Sequence, residues 1–68
     1  MSTNQNLAKN VKRLREAKGL SQEKLARLAD VANNTIIKIE SGKNDNPTLD
    51  TLKKIAKALE TSVDGLIK

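Results

Sequence analysis

The chain has 68 residues, 13 Lys and Arg against 8 Asp and Glu, and neither cysteine, histidine nor any aromatic side chain. A disulfide or zinc staple and near-neutral proton transfer by histidine are therefore excluded, and a domain this small must fold by packing alone, burying roughly 60% of the surface its unfolded chain exposes. Without rings to stack on single-stranded bases, the net charge of +5 points to a polyanion read in another way, with duplex DNA the leading choice and single-stranded nucleic acid not expected.

The opening "MSTNQN" is polar and uncharged. It predicts a flexible arm over residues 1–6, with one domain over 7–68. No signal-like stretch follows, and nothing approaches the ~18 apolar residues of a membrane span, so a cytoplasmic protein is expected, at the nucleoid when bound to DNA, with no membrane partner. The first helix is predicted from about Leu7 to Lys18, with Leu7, Val11 and Leu14 inward and Gly19 as its left-handed stop. Ser21 then caps "QEKLARLA", where Glu23 suits the helix dipole in the first turn.

A third helix is expected within "NNTIIKIES", ending at Gly42. After the loop "KNDNP", Thr48 caps "LDTLKKIAKALE", whose Leu49, Leu52, Ile55, Ala56 and Leu59 form one apolar stripe. Ser62 caps a last turn, "VDGLIK", in which Gly65 costs about 1 kcal/mol relative to alanine. The reading is all-α, five short helices and no strand.

Charge is uneven: residues 1–20 carry +4, residues 21–45 are neutral and residues 46–68 carry +1. By itself the run Lys9, Lys12, Arg13, Arg15 and Lys18 reads as a solvated helix face. The short link "DVA" between the second and third helices suits a sharp bend, the helix-turn-helix geometry. Turning the third helix at 100° per residue puts Ala32, Ile36, Ile39 and Glu40 on the core side and Asn34, Lys38 and Ser41 opposite, with Ile37 on the flank. Asn33 lies between the faces. Asparagine can address adenine, lysine guanine, and an aliphatic side chain a thymine methyl, so this stripe is able to read a major groove. Ordinary polar surface has the same composition. No catalytic group, metal cluster or phosphate loop stands out, and neither an enzyme nor a cofactor is expected.

The ordered set "LREAKGLSQ", "LA", "TI..IESG", "P.L.TL..IAKAL" and "SVD.L" resembles the phage repressor and Cro-like helix-turn-helix regulators over nearly the whole chain. The resemblance implies a compact five-helix, lambda-repressor-like domain that dimerises and represses transcription from an inverted-repeat operator, with its third helix in the major groove. It further implies base reading by Asn33, Asn34, Ile37 and Lys38, and phosphate contacts by Gln22, Thr35, Ser41, Lys43 and Asn44, with Gln22 also bracing the third helix. Arg15 and Glu40 match a structural ion pair, and Val63, Leu66 and Ile67 fall in the C-terminal region that relatives use to dimerise. The same fold also serves as a protein-interaction module, in antitoxins or transcription adaptors, which is the alternative reading.

Four departures from the family pattern carry expectations of their own. Asp30 replaces the glycine of the bend, and Glu60 the glycine after the fourth helix. Asp45 stands where a cation would help DNA binding. Ala32 is a poor cap for the third helix, so Asn33 is expected to supply the cap and leave Asn34 the larger share of base reading.

Overall fold

The computed structural model describes residues 4–68, with the side chains of Asn4 and Gln5 left aside. Five helices follow in order: α1 Asn4–Ala17, α2 Gln22–Ala29, α3 Asn33–Ser41, α4 Leu49–Ala58 and α5 Val63–Ile67. No strand occurs among the described residues. Helix α1 packs on α3 and α5, α2 on α3 and α4, and α4 on α5. All surround one core, in which Leu7, Val11, Leu25, Ile36, Ile39, Ile55 and Leu66 are fully buried. Each such aliphatic side chain contributes about 1.5–3 kcal/mol, which is how a chain without staples holds together.

Three helix starts follow from side-chain caps. Ser21 accepts from the Lys24 N–H, Thr48 from that of Thr51, and Ser62 from that of Gly65. Three helix stops share one construction. Gly19, Asp30 and Glu60 take left-handed φ of 69°, 58° and 58°, and each donates its N–H three residues back. The next residue in each case, Leu20, Val31 or Thr61, donates five residues back, completing the Schellman pattern. Leu20 and Val31 then pack against the core.

Several expectations are corrected. Helix α1 starts at Asn4, so residues 4–6 of the expected arm are helical, while residues 1–3 lie outside the described residues. No glycine or proline interrupts "NQN", and the Asn6 side chain is used from within the helix, donating to the Lys68 carbonyl at 3.0 Å. Leu49 is 58% exposed because it opens α4 before that helix reaches the core. Ala32 is exposed as well: its extended backbone (φ −67°, ψ 144°) places it ahead of the helix, where the 100° wheel does not apply. Asn33 is not the cap of α3 but its first residue; the cap position is Ala32, which offers no side-chain hydrogen bond. Leu66 is 0% exposed within the protomer core and is not available to a second copy.

Gly65 also proves different from a mere propensity cost. A Cβ there would collide with the Thr61 Oγ1, so a larger residue at this position requires that hydroxyl to move.

Candidate nucleic-acid interface

Helix α3 buries Ile36 and Ile39 and turns Asn33, Asn34, Ile37, Lys38 and Ser41 outward, all exposed. Ile37 keeps 40% of its surface, large for an isoleucine beside a packed helix pair. Both asparagines are free of capping duty, so the two amide heads stand together at the start of the exposed stripe.

Behind this face lies a charged lock. Arg15 of α1 donates Nε to Glu40 Oε2 at 2.6 Å and Nη2 to Oε1 at 3.1 Å, a bidentate pair, while its Nη1 donates to the Leu20 carbonyl at 2.6 Å. Gln22, the first residue of α2, adds its Nε2 to Glu40 Oε1 at 3.1 Å. The two charged side chains are only 11% and 4% exposed. The hydrogen bond to Glu40 pushes the Arg15 guanidinium above its ordinary range, so it stays charged wherever the protein is folded. One carboxylate thus ties α1, α2 and α3 together and sets the attitude of the outward face.

Around Gly42 the chain leaves α3 through a second, different stop: Gly42 donates to the Ile39 carbonyl, and Asn44 N–H to that of Lys38. Lys43 is exposed here, whereas Asn44 and Thr35 are half-buried. The Ser41 hydroxyl donates to the Lys38 carbonyl at 3.1 Å, and Asn44 Oδ1 accepts from the Asn46 N–H at 3.2 Å. Ser41 and Asn44 therefore spend part of their hydrogen-bonding capacity on the turn itself, leaving chiefly the Asn44 amide N–H groups to an acceptor. The asparagines Asn6 and Asn10 escaped sequence reasoning. They hold α5 to α1, Asn10 donating to the Leu66 carbonyl at 2.9 Å, a pairing across 56 residues that no local pattern announces.

Among the described residues no helix is long and apolar enough to cross a membrane, and no group of three or more His, Cys, Asp or Glu side chains could hold a metal.

Residues 11–66 match the helix-turn-helix family model. The control protein C.SmaI of Serratia marcescens is 44% identical over 61 residues, covering 90% of this chain and 71% of that one. The restriction-modification controller protein C.AhdI of Aeromonas hydrophila superposes with a TM-score of 0.86 at 33% identity, over 93% of this chain and 94% of the other. A similar unit occurs within HppE in its apo form, with a TM-score of 0.83 at 29% identity, but this chain spans only 36% of that longer one.

Proposed function

This chain belongs to the Cro and phage-repressor type of the helix-turn-helix family, and from that premise we propose that it is a sequence-specific regulator of transcription that binds duplex DNA. It acts inside the cell as a symmetric dimer on an inverted repeat, in the manner of a restriction-modification controller. The observation that carries this reading is the outward face of α3, exposed on one side and held on the other by Arg15, Glu40 and Gln22. A face fixed this way enters a major groove without first paying to order itself.

Within that reading Asn33 and Asn34 address adenine, Lys38 guanine and Ile37 a thymine methyl. Lys43 and the helix-start residue Gln22 contact phosphates, with Thr35, Ser41 and Asn44 supporting them from the turn and the helix side. With Leu66 buried, Val63 and Ile67, both half-buried, are the C-terminal apolar side chains left to a second copy.

Selection of bound duplexes from a random pool at ~0.15 M salt tests the proposal, since non-specific binding is weak there. The expected product is an inverted repeat with half-sites about one helical turn apart. No enrichment by folded protein overturns it. On the selected site, Asn34→Ala is expected to cost about 1–3 kcal/mol and relax the preference there, whereas Lys43→Ala weakens all sequences alike. Equal losses for Asn34→Ala on selected and random DNA remove its base-reading role.

A further inference from the structure

We propose that Lys12 of α1 is an additional contact to the DNA phosphate backbone, placed at the cleft where α1, α2 and α3 meet. The inference rests on the DNA-binding reading above and extends its footprint to a helix outside the helix-turn-helix. The cleft is lined by Lys12, Arg15, Gln22, Ile37, Glu40 and Ser41. Its inner charges are paired with one another: Glu40 accepts from Arg15 and Gln22, and Arg15 gives a third N–H, from Nη1, to the Leu20 carbonyl. Lys12, by contrast, is exposed and has no ion-pair partner among the described residues. It is the cation this cleft leaves to an anion from outside.

Position makes that anion a backbone phosphate. Ile37, on the proposed base-reading face, and Gln22, at the proposed phosphate contact, line the same cleft as Lys12. A strand running past Gln22 with its groove against Ile37 therefore carries a phosphate within the sweep of a four-carbon ammonium arm. The other cations of this basic run are placed differently. Lys18 is paired with Glu60, Arg13 donates to Asn10, and Lys9 does not line the cleft. The basic run of α1, uniform in sequence, is thus divided by the fold into one outward-facing contact and several residues with other surroundings.

The test is titration of the whole chain with its selected duplex and with a random duplex, followed by fluorescence anisotropy across a range of salt concentrations. Wild type is compared with Lys12→Ala, Lys12→Arg and Lys9→Ala. Lys12→Ala is expected to lower the magnitude of the slope of log K against log salt by about 0.9 for each copy bound, about 1.8 for the dimer, and to weaken both duplexes about fivefold per copy at ~0.15 M salt. Lys12→Arg keeps the slope, and Lys9→Ala changes it less. An unchanged slope for Lys12→Ala, or an equal change for Lys9→Ala, overturns the assignment, the latter because net charge alone then accounts for it. Failure of the wild type to bind either duplex brings down the DNA-binding reading together with this one, whereas failure confined to the Lys12 comparison leaves that reading standing.

Discussion

At the scale of single residues, Glu40 carries the most. Its carboxylate receives three donors from two other helices and is nearly sealed from solvent, conditions under which an ion pair is not interchangeable with a surface one. Removing one partner strands the other as an uncompensated buried charge, a loss of roughly 3–5 kcal/mol. Glu40→Ala is accordingly expected to lower the thermal midpoint by more than about 10 °C in a domain of this size. Arg15→Met combined with Glu40→Leu should recover much of that loss, because no charge is then left buried; calorimetry on the wild type and the two variants decides it. The positions of Arg15 and Glu40 were legible through the family resemblance. Gln22 was expected by the same resemblance to contact a phosphate and brace the third helix, but its donation to Glu40 was not foreseen.

The helices were the most legible level, and their ends show why. Ser21, Thr48 and Ser62 announce three starts through hydroxyls that accept a backbone N–H, and Gly19 and Gly42 announce two stops. Asp30 and Glu60 mark two more only weakly, because aspartate visits the left-handed region less readily than glycine and glutamate has no preference for it; both positions are legible where relatives have glycine. Asp30→Gly removes the strain of φ 58° but adds unfolded-state entropy, for a net gain of up to about 1 kcal/mol in chemical denaturation. A loss of stability would show that the Asp30 carboxylate has a role in the turn.

Helix α5 gives the opposite lesson: counting propensity alone, Gly65→Ala should help, yet the added methyl meets the Thr61 hydroxyl. The substitution is expected to cost about 1 kcal/mol net, the overpacking outweighing the helix gain. In a Thr61→Ala background the same change should become neutral or stabilising. Persistence of the full cost there would place the conflict elsewhere. The uncapped start of α3 belongs to this scale too, since pattern rules supplied Asn33 as a cap where the chain simply does without one.

Taken whole, the molecule is a ring of contacts around one apolar centre, with extents of 30 × 21 × 20 Å. Long-range polar links close that ring on the outside, and these were the least legible features because their partners are far apart in sequence. Lys18, in the turn after α1, donates to Glu60 in the turn before α5 and holds that carboxyl below its ordinary value, first through the hydrogen bond and then through its charge. A depressed carboxylate adds stability above its unfolded value of 4.5, and that contribution fades as pH falls through the lower folded value. The difference in thermal midpoint between wild type and Glu60→Gln should therefore be present at pH 6, small because the pair is exposed, and vanish in acid below the folded value. A difference that grows in acid would contradict the link.

Asn6 and Asn10 reach from the first helix to the last carbonyls of the structure. Two amides of the first helix are thus matched by carbonyls 62 and 56 residues later in the chain. During synthesis the helix that supports the outward face of α3 waits, with part of its polar surface unmatched, until α5 emerges and docks. A chain cut short of Leu66 would lack the contacts of α5 on α1, so synthesis must pass Leu66 before α1 is fully held behind α3.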